Sequence, residues 1–236
     1  MMKISALIVG TMLLLGLIFG CKQESEKSPP IGGSTSPEPA LTIVAVGDSL
    51  TAGQGVEESE AYPALVEKAL RAGGHDVKVV NAGVSGETTS GTLSRLDWVL
   101  TLDPDIVILE TGANDGLRGI DTTLVRSNLR QIIEMLQQKG IIVVLAGMKM
   151  VWNLGPDYTS AFNRIYPELA AEKELIFMPF FLEGVATRRE FNQEDGLHPN
   201  PAGYRVIAET ILPYVEEAVA AAGKAKSGSD GEAGTK

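Results

Sequence analysis

Leu41-Thr42-Ile43-Val44-Ala45-Val46-Gly47-Asp48-Ser49-Leu50-Thr51-Ala52-Gly53 is the stretch on which the fold turns. Its first six residues are almost wholly apolar. A run that is apolar at odd and even positions alike suits a parallel strand covered on both faces. The chain then turns on Gly47 and presents the Ser49 hydroxyl where a helix should begin. An α/β enzyme places a nucleophile at such a turn, because a helix start offers free N–H groups to a developing oxyanion. Taken alone, Gly-Asp-Ser also reads as an ordinary helix cap, so its meaning depends on the rest of the chain.

Outward from this stretch, strand-like and helix-period segments alternate without a repeat. Strands are predicted at 41–46, 77–81, 105–109 and 141–146, with a short one around Leu175-Ile176-Phe177. Helices are predicted at 61–72, 89–101, 122–138 and 158–173, and a last one opens at Asn200-Pro201, a capping residue followed by proline in the first turn. Gly73-Gly74 and Gly140 stand where helices should stop. The alternation implies a three-layer α/β/α domain over 41–220 with a five-stranded parallel sheet and right-handed crossovers. Ligands of such sheets gather at the carboxyl ends of the strands. Ser49, Gly83, Thr111 to Asp115 and Trp152 each follow a strand and should share that edge.

The first twenty residues are excluded from the domain. Lys3 precedes an uncharged apolar stretch from Ile4 to Gly20, patterned as a secretory leader and short for a spanning helix. Cys21, the one cysteine of the chain, follows directly, as in the lipobox of bacterial lipoproteins. Acylated there, it would leave no thiol for a disulfide, a nucleophile or a metal. Residues 21–40, rich in Ser, Pro, Gly, Glu and Lys, read as a flexible tether with a reach of roughly 25 Å. Residues 221–236 read as a disordered polar tail. These features predict a bacterial envelope protein, lipid-anchored and facing the periplasm or exterior.

Twenty Lys and Arg stand against thirty Asp and Glu, a formal charge of −10. Without basic tracts this balance argues against nucleic acid as a partner, and a monomer is the default.

Two histidines occur. His75, in Gly73-Gly74-His75-Asp76, reads as a surface turn, which leaves His198 as the candidate general base. Asp195, three residues earlier, can accept from the imidazole Nδ1–H and orient the ring. Thr111-Gly112-Ala113-Asn114-Asp115-Gly116 follows a strand and could offer the Asn114 amide to an oxyanion. In Asn81-Ala82-Gly83-Val84-Ser85-Gly86 a glycine lets backbone approach a substrate. Ser85 is a rival nucleophile without the strand-turn-helix entry.

These four blocks, in this order, resemble the SGNH (GDSL) hydrolases, named for Ser, Gly, Asn and His. The resemblance covers 41–220 and implies the flavodoxin-like fold of that family. It implies Ser49 as nucleophile, His198 as base and then acid, and Asp195 as its orienter. Ser49 N–H, Gly83 N–H and the Asn114 side chain would form the oxyanion hole, with neither cofactor nor metal. The chemistry implied is hydrolysis of carboxylic esters: aryl and short-to-medium acyl esters, lysophospholipids and thioesters. Leu117-Arg118-Gly119-Ile120 matches a loop that in relatives moves to meet acyl chains. Met150, Trp152 and Phe181, flanking the same edge, are expected to join Leu117 in a substrate wall.

Competing readings are a carbohydrate O-deacetylase of the same fold, a metal phosphoesterase and a non-catalytic acyl-binding lipoprotein. The phosphoesterase needs several His ligands. The binding protein predicts damage to Ser49, Asp195 or His198, and all three are intact.

Overall fold

The computed structural model describes residues 41–150 and 154–232, with side chains through 225. The leader, Cys21, the tether and Trp152 lie outside the described residues.

Five strands, β1 (Leu41–Gly47), β2 (Val77–Gly83), β3 (Ile106–Glu110), β4 (Ile142–Ala146) and β5 (Ile176–Met178), form one parallel sheet ordered β2-β1-β3-β4-β5. This is the flavodoxin-like strand order. The order puts β1 inside the sheet, so the chain leaving Gly47 has the β2 exit on one side and the β3 exit on the other. Gly47 is in register with Gly83, and Val46 with Leu109, which brings three strand ends to one level.

Eight helices flank the sheet in the described residues: α1 (Ser49–Ala52), α2 (Tyr62–Ala72), α3 (Thr89–Ser94), α4 (Leu96–Leu100), α5 (Ala113–Leu117), α6 (Thr122–Gln138), α7 (Pro156–Lys173) and α8 (Pro201–Glu232). α2 and α8 pack together on the sheet; α6 packs between α3 and α7. Sequence dictates these choices. Asp121 caps α6 by accepting the Thr123 N–H at 2.8 Å, and Val125, Leu129, Ile132, Ile133 and Leu136 form its buried stripe. Arg130–Glu172 and Lys173–Glu134 pairs lace its outer side to α7.

Two boundaries differ from the sequence reading. The helix expected over 89–101 breaks at Arg95, whose φ of −106° is not helical. Its guanidinium is pulled inward onto Glu87 and the Ala82 carbonyl. The last helix passes the boundary expected at 220, because Ala218, Val219 and Ala222 are buried along it and alanine favours continuation.

Candidate active site

The nucleophile turn is built by exclusion. A Cβ on Gly47 would fall 2.1 Å from Thr51 Oγ1 and 2.4 Å from the Glu110 carbonyl, so only glycine lets the chain bend there. Asp48 then caps the short α1, its Oδ1 accepting the Leu50 N–H at 3.0 Å. Ser49 opens α1 and is 8% exposed, with its backbone N–H unclaimed among the described residues. Gly53, at φ +78°, closes the helix after one turn.

His198 arrives from the opposite end of the chain on a loop fastened at several points. Asn192 and Pro199 form an antiparallel bridge at its neck. Gln193 donates its Nε2–H to the Gln54 carbonyl at 2.7 Å and to the Pro199 carbonyl at 2.9 Å, tying this loop to the turn after α1. Asn200 Oδ1 caps α8 through the Ala202 and Gly203 N–H groups. Within the loop, Asp195 Oδ1 accepts the backbone N–H groups of Leu197 (2.9 Å) and His198 (3.0 Å). Its Oδ2 lies 2.6 Å from His198 Nδ1, and His198 Nε2 lies 2.9 Å from Ser49 Oγ. With Nδ1–H donating to Asp195, Nε2 is left to accept from the serine hydroxyl. These hydrogen bonds, the His198 N–H first, hold the Asp195 carboxyl down at about 2.

The third block joins the first. Asn114, on α5, donates Nδ2–H to Asp48 Oδ2 at 3.0 Å and keeps a second N–H for another acceptor. Behind it, buried Asp115 accepts from the N–H and Oγ1 of Thr89 at 2.8 and 2.6 Å, and Tyr166 donates to the Thr111 carbonyl at 2.7 Å. Burial pushes Asp48 up to about 6, opposed by the Leu50 N–H and Asn114. Burial raises Asp115 as well.

Three expectations need revision. The Gly83 N–H is no free donor: it is spent on Asn81 Oδ1 at 3.0 Å, and a Cβ there would lie 2.2 Å from Ala52 N. Gly83 serves close packing of β2 on α1. In the same turn the N–H groups of Ser85 and Gly86 have no acceptor among the described residues, and Gly86 sits at φ +78°. Phe181 is fully buried, its ring meeting Tyr62 edge-on at 5.1 Å, so it belongs to the core and not to a substrate wall. Met150 presses its sulfur against Gly116 and gives its N–H to Asn163 Oδ1, so it buttresses α5. Leu117 is half exposed beside the site, as are Val84 and Leu197. His75 is exposed in its turn, away from the triad. Among the described residues no cluster of His, Cys, Asp or Glu is arranged to hold a metal ion.

The sequence reading missed Gln193 and Glu110. Gln193 carries no local signal. Glu110 was visible as a charged residue closing an apolar strand, in Ile106-Val107-Ile108-Leu109-Glu110.

Residues 45–206 match the GDSL-like Lipase/Acylhydrolase family. The arylesterase of Vibrio mimicus is 39% identical over 179 residues, spanning 75% of this chain and 90% of the relative. Thioesterase 1/protease 1/lysophospholipase L1 of Escherichia coli K12 is 35% identical over 181 residues, 76% and 86% of the two chains. The crystal structure of TesA superposes with a TM-score of 0.72 at 38% identity, covering 75% of this chain and 99% of that one.

Proposed function

Since the chain belongs to the GDSL-like lipase/acylhydrolase family, we propose that it is a serine esterase working through Ser49, His198 and Asp195. The observation that carries this is the continuous relay from Asp195 Oδ2 to His198 to Ser49 Oγ, at 2.6 and 2.9 Å. His198 Nε2 takes the hydroxyl proton as Ser49 Oγ attacks the ester carbonyl. The tetrahedral oxyanion is held by the Ser49 N–H, the second Asn114 Nδ2–H and an N–H of the Ser85–Gly86 turn. His198 then hands its proton to the leaving alcohol, and the acyl group stays on Ser49. Water, giving a proton to the same imidazole, attacks the acyl-enzyme and releases the acid. Ionised Asp195 keeps the ring in the required tautomer and steadies the imidazolium.

Half-exposed Val84, Leu117 and Leu197 give the site an apolar rim, which supports aryl and short-to-medium acyl esters as substrates. Lysophospholipids and thioesters extend the same class, in keeping with the names of the matched relatives. The apolar run ending at Gly20 and followed by Cys21 supports lipid anchoring to a bacterial membrane, with the domain outside the cytoplasm.

Hydrolysis of p-nitrophenyl butyrate tests the mechanism. Activity that survives EDTA and disappears in Ser49→Ala is expected; activity abolished by EDTA, or kept by the variant, overturns it. Anchoring is tested by metabolic labelling with palmitate, which Cys21→Ser should abolish.

A further inference from the structure

Beneath the nucleophile turn lies a carboxyl group that the mechanism above does not use. Glu110 ends β3 with its side chain fully buried. Its Oε2 accepts from Thr51 Oγ1 at 2.8 Å and from the Asp48 N–H at 3.3 Å. Those donors stand two residues after Ser49 and one residue before it, so a single oxygen braces both flanks of the nucleophile. Thr51 Oγ1 is in turn 3.2 Å from the Tyr62 hydroxyl. The other oxygen, Oε1, is buried with no partner among the described residues.

The surroundings decide the charge. Asp48 faces Glu110 from the end of β1, Tyr62 from α2, Tyr166 from α7 and Tyr204 from α8; none of these is a cation. The guanidinium of Arg95 gives an Nη2–H to the Gly47 carbonyl at 3.4 Å and is held by both oxygens of Glu87, and none of its nitrogens bonds Glu110 among the described residues. His198 and Glu87 act on Asp48, with opposite effects on its carboxyl. An ionised Glu110 would therefore be a buried charge without a cation beside it and with one oxygen unpartnered, among the costliest arrangements a core can hold. Two carboxyls buried side by side resolve this by sharing a proton. Asp48 is the better anion of the two, since each of its oxygens accepts a hydrogen bond, Oδ1 from the Leu50 N–H and Oδ2 from the Asn114 amide, while Glu110 Oε1 has no partner among the described residues.

We propose that Glu110 is a positioning residue that stays protonated near neutral pH, and that its neutrality lets Asp48 carry the negative charge that grips Asn114. Glu110 acts on the reaction through others: it fixes the height of Ser49 by way of Thr51 and Asp48, and the oxyanion donor Asn114 by way of Asp48. Burial, followed by the field of Asp48, drives its carboxyl well above the ordinary glutamate range. The effect on kinetics rests on the serine esterase reading; the proton assignment does not.

Stability against pH, measured for the wild type and Glu110→Gln, reads the proton directly. An acid whose folded pKa is raised loses its proton first in the unfolded chain, so the wild type loses stability as pH climbs above about 4.5. The glutamine variant has no such slope. Its melting temperature relative to wild type should rise steadily as the pH climbs from there. A difference that stays flat with pH overturns the assignment, and this measurement needs no substrate. A protonated-carboxyl stretch in the infrared spectrum near neutral pH, absent from Glu110→Gln, is the second expected signature; its absence from the wild type also overturns the proposal. In turnover, Glu110→Gln, which keeps an oxygen for Thr51 and the Asp48 N–H, should retain kcat within an order of magnitude. Glu110→Ala should lose roughly a hundredfold with little change in KM. Equal losses in the two variants overturn the positioning role. If the alanine variant does not fold, the glutamine stability curve and infrared spectrum decide the matter alone. A wild type that turns over no ester would sink the esterase reading and leave the protonated Glu110 standing.

Discussion

Asp48 and Asn114, 66 residues apart, meet at 3.0 Å, and that hydrogen bond joins the turn that carries Ser49 to the start of α5. Block one and block three are thereby one rigid piece. Asn114 is held by one amide hydrogen, which leaves the other for the oxyanion role proposed above. Replacing it by alanine should lower kcat by two to three orders of magnitude, about 3 kcal/mol of transition-state stabilisation. Melting temperature should fall as well, since the variant leaves buried Asp48 Oδ2 without its donor, at a cost of about 1–3 kcal/mol. Steady-state kinetics beside calorimetry checks both halves.

Asp195 gives a pH signature. Its carboxyl is held down at about 2 from an ordinary 3.8, so its contribution to stability is present above 3.8 and lost as pH falls through about 2. Asp195→Asn should melt below wild type at neutral pH, and the gap should close as the pH is lowered through that window. A gap independent of pH would show the variant's effect to be unconnected with ionisation. The carboxylate is largely solvent-facing, so the effect is modest.

Gly47→Ala and Gly83→Ala should each be destabilising by about 1–3 kcal/mol and nearly inactive. Their new methyl groups would fall 2.1 Å from Thr51 Oγ1 and 2.2 Å from Ala52 N, against opposite sides of α1 and its turn. Denaturant unfolding measures the first effect and p-nitrophenyl ester turnover the second.

Gln193→Ala should lower kcat about tenfold with KM little changed, because the His198 loop loses its tie to the Gln54 carbonyl. Rescue by Gln193→Asn is not expected, as the shorter side chain cannot span both carbonyls.

Leu117 and Phe181 should separate cleanly. Phe181→Ala opens the core and costs about 3–5 kcal/mol. Leu117→Ser leaves stability within about 0.5 kcal/mol and raises KM more for octanoyl than for acetyl esters. Equal KM changes across acyl lengths would remove Leu117 from the substrate rim.

Much of this arrangement was legible in the sequence because it is written locally. Buried parallel strands announce themselves as unbroken apolar runs, and Ile106 to Leu109 or Val143 to Ala146 have no other reading. Asp195 and His198 are close in sequence, so their pairing needed only a turn. What could not be read depends on which strands are neighbours. Glu110 lies beneath Ser49 because β1 sits beside β3, a fact of topology that no local pattern states. Gly83 was misread for a similar reason. Its glycine was needed, but by the approach of Ala52 on α1, which follows the neighbouring strand, and its own N–H was already taken by Asn81 two residues back. Phe181 looked like a wall residue by its place in sequence and turned inward to meet Tyr62. Arg95 broke a helix that periodicity alone would have continued, because a buried ion pair outbids local propensity.

The bridge between Asn192 and Pro199 has an architectural consequence. It closes the segment bearing Asp195 and His198 into a short loop whose neck is anchored by Asn192 Nδ2 on the Val185 and Arg188 carbonyls, so residues 185–199 hold its spacing. Between β5 and that neck, Glu183 and Gly184 are exposed, and Gly184 stands at φ +75° in an open turn. Lengthening the chain there changes the route to the loop and not its geometry. The protein can thus accept a grafted peptide or a larger lid at that point and keep its acid–base pair in place.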